Sequence, residues 1–246
     1  MCNVCALCHG REMKITLVGA DGQRHTVLYG NVEEVGGGSL GVIMQGCSIA
    51  ERFHNPLRTS AGHAGSMHGV FHTVRPTAER VGVPGTRSGR PIGGAHRGRL
   101  KAAARELQVA LRSLGLFRGE LGAVLAMAPA LEVLESAFVS RGLVNCGHLD
   151  TGDSSPSFAI WLVPSGCRIR TPQMLLFPKF GLALALRHGT VVSWPGHAVR
   201  HCTSAGEMVE VRKRGRGQAM SPEMRSFFIG RSTVLDARVT GDDGRQ

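Results

Sequence analysis

The hydrophobic positions of the chain change period twice. Near the N-terminus three short apolar runs, KITLVG from Lys14, RHTVLYG from Arg24 and LGVIMQG from Leu40, are punctuated by glycine and predict β-strands. Asp21-Gly22 between the first two is a hairpin signal, because such turns need residues that tolerate positive φ. Residues 51–99 show no sustained apolar period. They are rich in Gly, His, Arg and Pro and predict a loop or a disordered insertion. A helical period follows, with Leu100, Ala103, Leu107, Leu111 and Leu114 on one stripe and Gly115 as the cap. A second helix is predicted over 129–143, carrying Leu131, Leu134 and Phe138, with Gly142 near its end.

From Leu143 onward the period is that of strands. LVNCGHLD, SFAIWLVP, QMLLFP, GLALALRHG, TVVSWPG, AVRHCTS and MVEVRKR are short runs parted by Gly and Pro, the pattern of a sandwich or jelly roll. The expected fold class is α+β, with two helices leading into a β core. The expected organisation is a β-hairpin region over 1–50, the insertion over 51–99, the core domain over 100–235 and a tail over 236–246.

Composition adds a partner class. Lys and Arg number 29 against 18 Asp and Glu, for a net charge of +11, which favours polyanions and nucleic acid first among them. Aromatic residues are only 5% of the chain, with two Trp and one Tyr, so a pocket rich in stacking rings is not expected. Trp161 reads as strand packing. The longest apolar stretch, Leu121 to Leu131, is about half of a membrane span, and the first residues lack the apolar core of a signal peptide. Seven scattered cysteines suit a reducing compartment, so a nuclear or cytoplasmic protein without a membrane partner is expected.

Two groups of residues carry candidate chemistry. Cys5, Cys8 and His9 fit C-x-x-C-H, the haem-attachment pattern, but export to an oxidising compartment and a distal ligand are not indicated. With Cys2 the group could instead hold zinc, although a complete second ligand pair is missing. The other group is His148 and Asp150. On a strand, residues two apart project from one face, so an imidazole and a carboxylate would point together. A second histidine would complete the 2-His-1-carboxylate facial triad, which leaves coordination positions open for co-substrate and O2. Downstream, SWPGHAVRHCTS offers His197 and His201.

An H-x-D, some fifty residues of β pattern, and then G-x-x-x-x-W-x-G-x-x-x-x-H over Gly189 to His201 resembles the double-stranded β-helix of Fe(II)/2-oxoglutarate oxygenases. Within that superfamily the chain looks most similar to the TET and base-J-binding-protein group, which oxidises thymine or 5-methylcytosine. The algal branch, which includes an enzyme that modifies 5-methylcytosine with ascorbate-derived carbon, looks nearest. The resemblance spans about residues 100 to 216. It implies a cupin-like jelly-roll core, Fe(II) held by His148, Asp150 and His201, and His197 in the turn before the distal ligand. It implies 2-oxoglutarate or ascorbate as co-substrate, O2 as oxidant, and DNA, or RNA, as partner. Asp153 would contact the methylated base. A cation for the co-substrate carboxylate would come from Arg212, eleven residues after His201, or else from Arg216. Two alternatives stay open: a non-catalytic basic nucleic-acid-binding protein with a jelly-roll fold, and a small-molecule 2-oxoglutarate oxygenase.

Overall fold

A computed structural model of the chain describes residues 4–6, 13–31, 40–45, 47–48, 64–71, 136–150, 156–211 and 222–230. Among them are thirteen strands: β1 Val4–Ala6, β2 Met13–Val18, β3 Arg24–Asn31, β4 Ala64–Phe71, β5 Ser136–Val144 and β6 Ser157–Leu162. The chain continues with β7 Cys167–Thr171, β8 Gln173–Phe177, β9 Leu182–Leu186, β10 Thr190–Trp194, β11 Cys202–Thr203, β12 Glu207–Glu210 and β13 Arg225–Gly230.

The strands build two facing layers. The larger sheet has the order β2-β3-β10-β6-β13-β5-β4, and each neighbouring pair in it is antiparallel. The smaller has the order β1-β9-β8-β11, with β1 parallel to β9. A separate ribbon pairs β12 with β7. Alternate side chains from both layers meet in one core: Tyr29, Trp161, Val192 and Trp194 from the large sheet, Leu175, Phe177, Leu184 and Leu186 from the small one. This is the sandwich that the seven runs after Leu143 predict. All six residues of β6 are buried, so the face of the large sheet away from this core is covered too. Burial on both faces explains why SFAIWL lacks the alternation of a half-exposed strand.

The Asp21-Gly22 hairpin forms as expected between β2 and β3. Gly22 takes φ 78°, and the Gln23 amide donates to Asp21 Oδ1 at 3.1 Å. Three other expectations need correction. Ser136–Val144, expected within the second helix, is strand β5, hydrogen-bonded on both edges by β13 and β4. Its Ser140 hydroxyl meets that of Ser226 at 2.6 Å inside the sandwich. Pairing of two flanking strands outweighed a weak helical preference. LGVIMQG, expected as a strand, is helical at 40–45, with Leu40 and Ile43 buried. Leu40 and Ile43 lie three apart, which also suits one helical face. Ala64–Phe71, within the expected loop, is edge strand β4. The first expected helix, over 99–115, lies outside the described residues. Strands β1, β7 and β13 were not among the predicted runs. No helix among the described residues is long and apolar enough to cross a membrane.

Candidate metal centre

The chain leaves the large sheet at Val144 and reaches the site within a few residues. His148 lies in an isolated antiparallel bridge with His201, each backbone amide donating to the other's carbonyl at 3.0 Å. Asp150 is fixed separately: its amide donates to the Gly196 carbonyl at 2.9 Å. His148 and Asp150 thus converge through two different backbone clamps, and not through the face of one regular strand.

Three side chains meet there. His148 Nε2 lies 3.4 Å from Asp150 Oδ1, and His201 Nε2 lies 3.3 Å from Asp150 Oδ2. The two imidazole centroids are 4.5 Å apart. Two ligands at cis positions of an octahedral ion with bonds of ~2.1 Å are separated by about 3 Å, close to the edges seen here. Among the described residues these three form the one cluster of His, Cys, Asp or Glu whose ligand atoms all lie within 4.8 Å of one another.

The second nitrogen of each ring is already engaged. His148 Nδ1 donates to the Cys146 carbonyl and His201 Nδ1 to the Val199 carbonyl, both at 2.9 Å. Such bonds fix the tautomer and leave Nε2 as the lone-pair donor aimed at a cation. The donor set therefore fits a divalent ion. With two nitrogens, one carboxylate and three positions left open, it matches non-haem Fe(II) better than a closed structural site. His201 is the buried end of the cluster, at 4% side-chain exposure, while Asp150 at 23% and His148 at 35% face the opening.

Charge follows from this packing. Burial pushes the Asp150 carboxyl up, but hydrogen bonds and charges from both imidazoles outweigh it and hold the group well below the usual carboxylate range. His148 is raised above the ordinary imidazole value, first through its bond to Asp150, with partial burial and Arg200 opposing. In the metal-free protein an anion is thus stabilised where a cation would be bound.

The alternative distal ligand, His197, is exposed on the turn closed by Ala198 and Val199 amides donating to the Pro195 carbonyl. It is not part of the cluster. Asp153, Arg212 and Arg216 lie outside the described residues, as do Cys2, Cys8 and His9; Cys5 falls in β1. Trp161 is buried at 5% exposure in the core, as its strand position suggested.

Two residues around the ligands, and one buried cation remote from them, had been given no role in the sequence. Gly196 is one: a Cβ there would stand 2.5 Å from Asp150 Oδ2 and 2.9 Å from Ser157 Oγ. Trp194 is the second, with its ring 5.2 Å from that of His201 in an edge contact. Both lie in the W-x-G stretch quoted above, so the signal was present as a motif without a physical meaning. The third is Arg225, at 1% exposure, whose Nη1 donates to the Glu223 carbonyl at 3.3 Å. Met224 and Phe228 of the same segment pack into the core, so alternation puts Arg225 on the opposite face of β13, away from the metal cluster.

No protein-family profile matches the chain, and no curated protein matches it. Solved structures with some likeness include OsALKBH1, at 10% identity and TM-score 0.45, covering 90% of this chain and 100% of that one. NgTET1 in complex with 5mC DNA aligns at 11% identity and TM-score 0.39, over 91% of this chain and 82% of that one. A 2OG-Fe(II) oxygenase-family oxidoreductase from Burkholderia pseudomallei aligns at 15% and 0.39, over 77% of each chain.

Proposed function

We propose that the chain is an Fe(II)-dependent dioxygenase with a jelly-roll core. The observation that carries this is the meeting of His148, Asp150 and His201 around one point, each imidazole with its Nδ1 already spent on a backbone carbonyl. His148, Asp150 and His201 would hold the iron, and the bound iron would supply activation of O2 together with a co-substrate, 2-oxoglutarate or ascorbate. Asp150 contributes a charge kept anionic across the neutral range, His201 a rigid buried ligand, and His148 a ligand at the open side. The +11 charge supports a nucleic-acid substrate, whose phosphates it would attract. Within that class the proposed reaction is oxidation or modification of the methyl group of 5-methylcytosine, or of thymine, in DNA. Asp153 is proposed to contact the base and Arg212 or Arg216 to orient the co-substrate, with the protein working in the nucleus. These finer assignments rest on the sequence resemblance.

The test is spectroscopic and then chemical. Anaerobic Fe(II) with 2-oxoglutarate should give a weak visible charge-transfer band that Asp150→Ala abolishes. Incubation with methylated DNA and each co-substrate in turn, followed by mass spectrometry of the nucleosides, should reveal a modified base. Absence of both the band and any product would refute the enzyme reading.

A further inference from the structure

Among the described residues, Trp194 Nε1 is the one buried side-chain polar atom without a hydrogen-bond partner. Buried indole N–H groups nearly always have one, because an unmet donor in an apolar interior loses its hydration with nothing in return. Trp194 is 3% exposed and sits at the end of β10, two residues before the Gly196 clamp on Asp150. Its ring contacts His201 at 5.2 Å, Phe228 at 5.9 Å and Trp161 at 6.4 Å. The ring that carries the unmet donor therefore packs against the buried ligand of the metal cluster, in an otherwise aromatic wall.

The other polar groups near this wall are already spent. The Tyr29 hydroxyl donates to the Ala185 carbonyl, and the Ser140 and Ser226 hydroxyls bond each other. The one buried cation among the described residues, Arg225, belongs to the far face of β13. A ligand oxygen that reached this wall would meet an unpaired N–H and no positive charge from the described residues. An N–H of this kind suits an oxygen acceptor on a small molecule, and an acid chelated to the metal beside His201 carries such oxygens.

We propose that the Trp194 indole N–H donates a hydrogen bond to an oxygen of the small-acid co-substrate held at the His148, Asp150 and His201 centre. Trp194 thereby positions the co-substrate and biases the site toward acids with an acceptor oxygen on the wall side. The proposal rests on the metal-centre reading and deepens it.

The experiment uses the full chain, without oxygen, loaded with Mn(II) and titrated separately with 2-oxoglutarate and with ascorbate. Binding of each is followed by the change in the Mn(II) paramagnetic signal. Two variants remove the N–H: Trp194→Phe, and replacement by benzothienylalanine, in which sulfur takes the place of the indole nitrogen at nearly the same shape. The expected result is a co-substrate dissociation constant about tenfold higher in both variants. Mn(II) affinity should be unchanged, and the metal-free isostere should melt no lower than the parent. An unchanged co-substrate affinity in the isostere overturns the proposal. So does a loss of metal-free melting temperature in the isostere, which would show that the N–H serves the fold. Binding of Mn(II) by the parent without either co-substrate overturns it while leaving the metal centre intact. Failure to bind Mn(II) at all removes both.

Discussion

Gly196→Ala should separate metal binding from folding. Gly196 is buried, and its carbonyl accepts the Asp150 amide at 2.9 Å. The added methyl would lie 2.5 Å from Asp150 Oδ2, 2.9 Å from Ser157 Oγ and 3.2 Å from Asp150 Cβ. Ordinary contact begins near 3.4 Å, so the carboxylate oxygen has to retreat by about 0.9 Å. Metal ligands tolerate errors of only ~0.2 Å, so the displaced carboxylate no longer matches the two Nε2 atoms. Disturbing the support of a ligand typically costs about 10- to 100-fold in metal affinity, and direct displacement should reach the upper end. The fold is less affected. Overpacking costs about 1–3 kcal/mol, and the low end applies because the partly exposed Asp150 side chain can swing outward. The assay is calorimetric titration with Mn(II) beside urea denaturation of the metal-free protein. Parent-like Mn(II) affinity in Gly196→Ala would refute the idea that this glycine sets the carboxylate.

Other outcomes follow from the same geometry. His201→Ala should abolish Mn(II) binding and cost about 2–3 kcal/mol of stability by urea denaturation, since it empties a buried site against Trp194 and Phe177. His197→Ala, on the exposed turn, should change neither measurement; a loss of metal there would exchange the two histidines' roles. For pH, the raised His148 contributes stability below its unfolded value of 6.5, and that contribution is lost as pH rises through the higher folded value. The depressed Asp150 contributes above its unfolded value of 3.8, and loses this as pH falls toward its folded value. Metal-free stability should therefore decline from near neutrality into the alkaline range, and the decline should vanish in Asp150→Asn. Mn(II) affinity should rise over the same interval, because the ion displaces the His148 proton. DNA affinity should fall about tenfold or more between roughly 50 and 200 mM salt, and His148→Ala should leave that dependence unchanged; a flat response would remove the nucleic-acid partner.

Where a turn needs a special residue, the pattern of the chain was enough. Asp21-Gly22 specified its hairpin because few residues accept the φ of 78° that Gly22 adopts. The runs SFAIWLVP, QMLLFP, GLALALRHG and TVVSWPG were legible as strands from their length and the Gly and Pro breaks between them, whereas the intervening β7 was not. Legibility failed where long-range pairing decides. Ser136–Val144 contains residues that suit either state, and only β4 and β13, distant in sequence, make it a strand. The short helical segment at 40–45 failed for a related reason: an apolar run of that length has no period to distinguish helix from strand.

The metal cluster lies between these cases, and its construction explains why. The residue types and spacing of His148, Asp150 and His201 were readable, since few patterns supply two imidazoles and one carboxylate near the ends of strands. What holds them was not. His148 follows the last residues of β5 in the large sheet, while His201 immediately precedes β11 in the small one, and their mutual backbone bonds tie the two together. The carboxylate is aimed from a third place, the turn after β10, through a carbonyl that carries no side-chain signature. Nδ1 of each histidine is likewise spent on a carbonyl two residues earlier. Backbone groups thus do most of the positioning, and a backbone carbonyl looks the same under every residue. Gly196 and Trp194 are the exceptions, because one must lack a side chain and the other brings an N–H to an apolar wall. Gly196 is where substitution can tell a metal centre from a chance meeting of three polar side chains, because a Cβ there displaces the Asp150 carboxylate.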